Sequence, residues 1–140
     1  MDIKQRIKAA CAIADISQSE LGIKMGMSAS TLSLRIKTAK FTFPEQQKMA
    51  EILGCKFIAK YVFDDSAEYT ASTAGQMIKN ACAHEKISLT ELGTYLNKSR
   101  QNISSKLKYG RFTNDELSEI ASKIGCQYIS YFKFDDGTKI

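Results

Sequence analysis

The chain has 140 residues, of which 44% are apolar and 25% charged, and its 20 Lys and Arg against 15 Asp and Glu leave a net charge of +5. These are globular proportions that exclude a disordered chain. No apolar run approaches the ~18 residues of a membrane-spanning helix, and the opening MDIKQRIKAA lacks the apolar core of a signal peptide, so the expectation is a cytoplasmic protein with no membrane partner.

Residues 5–65 recur without a gap at 76–136, a constant offset of 71, and 24 of the 61 aligned pairs are identical. Roughly three or four identities would follow from average residue usage, so one unit has been duplicated. The expected organisation is a domain at 1–65, a small polar linker at 66–73 and a second domain at 74–140. Units of this size are near the lower limit for a self-sufficient core, and the two are expected to lean on each other.

In chain order, Ile3, Ile7, Ala10, Cys11 and Ala14 follow the 3,4 spacing of a helix face, continued in the second copy by Ile78, Ala81 and Cys82. A second helix opens at Ser17 and Ser88, where SQSE and SLTE form capping boxes. It is short, because Gly26 and Asn97 follow within about eight residues, and these are the two residue types that best tolerate a left-handed turn. A third helix begins at once, with Ser28 or Ser99 as N-cap and Leu32/Ile103 and Ile36/Leu107 as its inward stripe. TFPE and TNDE then cap a fourth helix at Thr42 and Thr113, which turns Met49/Ile120, Ala50/Ala121 and Leu53/Ile124 inward and stops at Gly54/Gly125. After it the period changes to 2. Phe57, Ala59, Tyr61 and Phe63 share one strand face, as do Tyr128, Ser130, Phe132 and Phe134. A lone strand leaves its backbone unpaired, so the two copies are expected to pair antiparallel about a pseudo-two-fold axis. Asp64-Asp65 and Asp135-Asp136 read as a solvated stop to each strand.

Chemistry-bearing residues are few. The four cysteines occupy two equivalent positions per copy, with no CxxC, and read as buried, reduced thiols. His84 is the only histidine and its counterpart is Ile13. No catalytic residue, metal site or cofactor is expected, and the chain is not expected to be an enzyme. Charge placement is more informative. From Glu20 to Glu45 no acid occurs while Lys24, Arg35, Lys37 and Lys40 do, and from Glu91 to Asp115 there is again none among Lys98, Arg100, Lys106, Lys108 and Arg111. Each copy thus presents a purely positive segment, as a polyanion-binding surface requires.

The stretch ISQSELGIKMGMSASTLSLRIK and its counterpart ISLTELGTYLNKSRQNISSKLK resemble the helix-turn-helix domains of the Xre, Cro and lambda-repressor-like group, over about residues 5–55 and 76–126. The resemblance implies a mainly α fold of two tandem helix-turn-helix domains, each followed by a β-strand. Two features depart from the family pattern. Ile36-Lys37-Thr38 and Leu107-Lys108-Tyr109 stand where many members have Glu then Gly, and Gly22 and Gly93 replace the usual Ala of helix 2.

The function the resemblance implies is sequence-specific binding of double-stranded DNA by a repressor-like transcriptional regulator of bacterial, phage or mobile-element type. A recognition helix enters the major groove, its early residues meet base edges, and flanking groups hold phosphates. In the second copy Arg100, Gln101, Asn102 and Ser105 fall on the base-reading face, with Lys98, Ser99, Lys106, Lys108, Tyr109 and Arg111 placed for phosphates. In the first, Ala29, Ser30, Thr31 and Leu34 take the base-reading positions, with Gln18, Ser28, Arg35, Lys37 and Lys40 around them. Arg grips guanine and Asn or Gln grips adenine in bidentate fashion, whereas the first set offers only methyl and hydroxyl contacts. The second copy is therefore expected to dominate selectivity and the first to add affinity. The expected partner is an imperfect inverted repeat bound by a monomer acting as a pseudo-dimer, its recognition helices about one turn, roughly 34 Å, apart. The alternative is a helix-turn-helix scaffold turned into a protein-binding inhibitor or antirepressor, for which the weak base-reading set of the first copy provides the motive; the strand face of Tyr131 and Lys133, beside Lys60 and Val62, is open either to solvent or to a protein partner.

Overall fold

A computed structural model describes residues 2–38 and 40–140. The chain is mainly helical, in the order α1 (Ile3–Ala14), α2 (Gln18–Lys24), α3 (Ala29–Thr38), α4 (Phe43–Leu53), β1 (Lys56–Val62), β2 (Glu68–Tyr69), α5 (Ala74–His84), α6 (Leu89–Tyr95), α7 (Arg100–Tyr109), α8 (Asn114–Ile124) and β3 (Gln127–Lys133). The three strands form an antiparallel sheet in the order β2-β1-β3.

The helix boundaries follow from capping chemistry. Ser17 and Ser88 accept from the amides of Glu20 and Glu91, and Glu91 completes its box by reaching back to the Ser88 amide. Asp2 and Gln5 form a further box at the start of α1, and Thr113 and Glu116 form one at the start of α8. Each such cap contributes about 1 kcal/mol by satisfying amides that the first turn leaves without carbonyl partners. Gly26 and Asn97 sit at φ +77° and +59°, so the tight turn after α2 and α6 is left-handed in both copies, as the Gly/Asn alternation required. Pro44 is the second residue of α4, where its missing N–H costs nothing.

The strands carry a correction. The Asp-Asp pairs do not simply end them. Asp64-Asp65-Ser66 turns a hairpin in which the Phe63 amide donates to the Ala67 carbonyl at 2.9 Å, Ser66 adopts φ +71°, and the Asp65 carboxylate accepts from the Ala67 amide at 2.9 Å. Asp135-Asp136-Gly137 repeats it: Phe134 donates to Thr138 at 2.8 Å, Gly137 is at φ +91°, and Asp136 accepts from the Thr138 amide at 2.8 Å. An Asp that bonds the backbone two residues on, followed by a left-handed residue, closes a short hairpin. The return arm of the first is β2, which pairs with β1 in the register Tyr61 to Tyr69 and Val62 to Glu68. Part of the segment expected as a linker, 66–73, is thus strand. His84, at the end of α5, anchors this hairpin. Its Nδ1 lies 2.8 Å from the Tyr69 hydroxyl, its Nε2 lies 3.1 Å from Asp65, and its ring packs on Phe63.

The chain divides into two compact units, and each takes its last strand segment from the other copy of the repeat. The first holds the chain as far as Phe41, then Glu45–Ile58 and Tyr131–Ile140. Its core joins Ile7, Leu21, Leu32, Ile36, Phe41 and Met49 to Phe132 and Phe134. The second holds Thr42–Pro44 and Ala59–Ser130. It buries Met77, Ile78, Leu92, Ile103, Phe112, Leu117 and Ile120 together with Tyr61 and Phe63. The Tyr61 hydroxyl, fully enclosed, donates to the Leu117 carbonyl at 2.9 Å, and Phe43 is held by donation from its amide to the Phe112 carbonyl at 2.7 Å. The alternating aromatics Tyr61/Phe63 and Phe132/Phe134 all face a core, as their period of two implied.

Candidate nucleic-acid interface

α3 and α7 each bury one stripe and expose the rest. Leu32 and Ile36 on α3, and Ile103 and Leu107 on α7, are inward. Ala29, Ser30, Thr31 and Leu34 lie on the exposed side of α3, and Arg100, Gln101, Asn102 and Ser105 on that of α7. Leu34 is 61% exposed, a large apolar side chain in water at the middle of a helix. Ser28 caps α3 by accepting from the Thr31 amide at 3.1 Å, and its hydroxyl also engages those of Ser30, at 3.1 Å, and Thr31, at 2.8 Å. Ser99 caps α7 through the Asn102 amide at 3.1 Å, leaving no equivalent hydroxyl cluster, since its neighbours are Arg100, Gln101 and Asn102.

Glycine positions α2 and α6 against these helices. A Cβ on Gly93 would lie 2.6 Å from the Lys98 carbonyl oxygen, so α6 approaches the following turn backbone to backbone. A Cβ on Gly22 would meet the Leu32 side chain at 3.2 Å. Glycine in place of alanine thus serves close packing in both copies, more strictly in the second.

Of the cations expected on phosphates, Lys37, Lys40, Lys98, Lys108 and Arg111 are exposed, and so is Tyr109, at 67%. Arg35 and Lys106 are not free for that role. Arg35 donates to Glu45 at 2.5 Å and to the Lys40 carbonyl at 2.8 Å, with its guanidinium over the Phe41 ring. Lys106, its counterpart at the offset of 71, pairs with Glu116 and sits over Phe112. Burial pushes the Glu116 carboxyl up, but hydrogen bonds from Lys106 and Thr113 and the Lys106 charge outweigh that and hold it below the ordinary carboxylate range. Cation, ring and acid together fasten the loop that follows the exposed helix, so these two side chains hold the scaffold.

Two lysines outside the acid-free segment join the first unit's surface. Lys4 and Lys8 of α1 line an open groove of about 310 Å³ with Gln18, Ser33, Ile36 and Lys37. The sequence signal was their i, i+4 spacing on α1, which places both on one helix face, but only the packing of α1 beside α3 brings that face to Lys37.

Two of the thiols, Cys11 and Cys82, are buried, and Cys55 and Cys126 are half-buried. All four cysteines are free, and burial pushes those of Cys55 and Cys82 up to about 11; Cys126 reaches the same range through burial and the nearby Cys82 and Glu85. Among the described residues no cluster of His, Cys, Asp and Glu is arranged to hold a metal ion, and no helix is long and apolar enough to cross a membrane. Comparison of the chain with family models, with curated proteins and with solved structures gives no match.

Proposed function

We propose that the chain is a sequence-specific double-stranded DNA-binding protein, a repressor-like regulator built from two tandem helix-turn-helix domains, with α3 and α7 as two non-identical recognition helices. The observation that carries this reading is the exposed face of α7. Arg100, Gln101 and Asn102 stand free on its first turn, the position from which a helix in the major groove meets base edges, with Lys98, Lys108 and Arg111 flanking and no acid between Glu91 and Asp115. The left-handed turns at Gly26 and Asn97, and the capped short helices before them, support the same reading in both copies. The site would be an imperfect inverted repeat with two different half-sites, bound by one chain.

A second reading draws on the first unit. Ile23, 73% exposed on α2, and Leu34 on α3 are apolar side chains in water, which suits a protein partner better than phosphates. This is the inhibitor or antirepressor alternative.

Selection from random duplexes, followed by a salt series on selected and random sites, separates the two. A DNA regulator yields an enriched motif and loses affinity steeply with salt. No enrichment at low salt would sink the DNA reading.

A further inference from the structure

The groove between α1, α2 and α3 of the first unit has a composition that the recognition surface alone does not explain. Lys4 and Lys8 from α1 and Lys37 from α3 supply three ammonium groups, Gln18 and Ser33 supply neutral donors, and buried Ile36 lines it as well; no carboxylate is among its walls. A groove lined by three lysines and no acid favours an anion, which can accept hydrogen bonds from the ammonium, amide and hydroxyl groups around it.

The second copy does not keep all of this lining. Lys4 and Gln18 are replaced there by Gly75 and Leu89. A Cβ on Gly75 would fall 2.2 Å from the Leu107 carbonyl oxygen, so α5 lies directly against the backbone of α7 where α1 leaves room beside α3. Two of the polar walls, Lys4 and Gln18, thus belong to the first copy alone, while Lys8, Ser33 and Lys37 recur as Lys79, Ser104 and Lys108.

We propose that this groove is a phosphate-binding site, and that its occupant is a phosphodiester of the DNA backbone. Ser33 and Lys37 lie on α3 beside the stripe that carries Ser30 and Leu34, so a backbone running past that stripe meets the groove. The proposal rests on the DNA-binding reading for the source of the phosphate, and on the groove itself for the chemistry. It gives the first unit a role its base-reading residues lack: a sequence-blind grip that places α3 on the duplex.

The test is the Lys4→Gln/Lys8→Gln double variant of the full chain, with Lys48→Gln/Lys123→Gln as a control on α4 and α8. All four lysines are exposed, and unchanged thermal melting checks the fold. The groove variant should flatten the slope of log affinity against log salt by about 1 to 2, to the same extent on selected and random duplexes, and the control should change it less. An unchanged slope in a wild type that binds DNA would overturn the proposal. Should the wild type not bind DNA, titration with inorganic pyrophosphate followed by amide NMR decides the chemistry. Shifts confined to α1, Gln18, Ser33 and Lys37 and lost in the groove variant would keep a phosphate site and assign it to free polyphosphate. Absence of those shifts would remove the site along with the DNA reading.

Discussion

Arg35 stands to Glu45 as Lys106 stands to Glu116: the same pair of repeat positions, ten residues apart, closes the loop after α3 and the loop after α7, with the cation lying over Phe41 in one copy and Phe112 in the other. Arginine and lysine differ in fork geometry and hydration, yet both satisfy this site because the acid and the ring on either side of the loop are kept.

Glu116→Gln isolates the charge, since glutamine can still cap α8. The folded carboxyl titrates below its unfolded range, so its contribution is present above that range and is lost as pH falls through the folded value. The pair is about a third exposed, which limits its worth by solvent screening to about 0.5–1 kcal/mol. The variant should therefore be less stable than wild type by that amount at neutral pH in urea unfolding, and the gap should close on acidification. A gap independent of pH would mean that shape, not charge, makes the contact.

Alanine at Gly93 and at Gly22 should have different consequences. A Cβ at Gly93 would meet the Lys98 carbonyl oxygen at 2.6 Å, and backbone cannot give way without disturbing the turn, so Gly93→Ala is expected to cost about 1–3 kcal/mol. At Gly22 the obstacle is the end of the Leu32 side chain, and the gain of about 1 kcal/mol in helix propensity offsets the adjustment, leaving stability nearly unchanged. Urea midpoints of the two variants measure the contrast.

Each unit's dependence on a strand from the other repeat predicts where damage spreads. Phe132→Ala removes a fully buried ring from a core that, apart from Phe132 and Phe134, is made of buried first-copy residues, at about 3–5 kcal/mol. Amide exchange should accelerate in α1 to α4, although residue 132 belongs to the second copy. Tyr61→Ala should do the reverse, loosening α5 to α8 and freeing the Leu117 carbonyl. Faster exchange confined to the mutated residue's own repeat would contradict this division.

The local elements were legible because caps, left-handed turns and apolar periods are written within a few residues of where they act. Ser17, Ser88, Gly26 and Asn97 each took the backbone state their chemistry implies. The hairpins were not read, although Asp135-Asp136-Gly137 holds the signal. In the first copy Ser66 occupies the left-handed position, where its side chain disguises the turn. The roles of Arg35 and Lys106 were hidden for another reason: a cation on an exposed helix has the same sequence whether it faces a phosphate or a carboxylate ten residues on. The exchange of strands depends on contacts between residues far apart in the chain, such as Tyr61 with Leu117 and Ile7 with Phe132, which no local pattern specifies.

Cys11 and Cys82 are buried and Cys55 and Cys126 half-buried, and burial acts on all four thiols. In the folded chain Cys55, Cys82 and Cys126 hold their protons to about 11, above the unfolded thiol range, and burial raises Cys11 as well. The folded state thus binds more protons between about pH 9 and 11, and the associated stability, present below pH 9, is lost as pH rises through that window. At pH 8 alkylation should be slow in the native protein and fast in urea at all four sites. Rapid native labelling would show that one thiol is reachable and ionised.

On the proposed DNA-binding reading, the difference between the exposed faces of α3 and α7 predicts unequal effects on DNA. Arg100 can donate two hydrogen bonds to a guanine, so Arg100→Ala should weaken a selected site by about 1–3 kcal/mol, roughly five- to 150-fold, and leave random duplexes less affected. The Ser30 hydroxyl already shares the Ser28 hydroxyl at 3.1 Å, and its neighbours Ala29 and Leu34 offer no bidentate donor. Ser30→Ala should therefore change selected and random affinities alike and by little. Fluorescence anisotropy on both duplexes at one fixed salt concentration gives the two ratios. If both variants lost the selected site equally, the two helices would read bases with equal weight, and the methyl-rich face of α3 would have to gain its specificity from contacts other than hydrogen bonds.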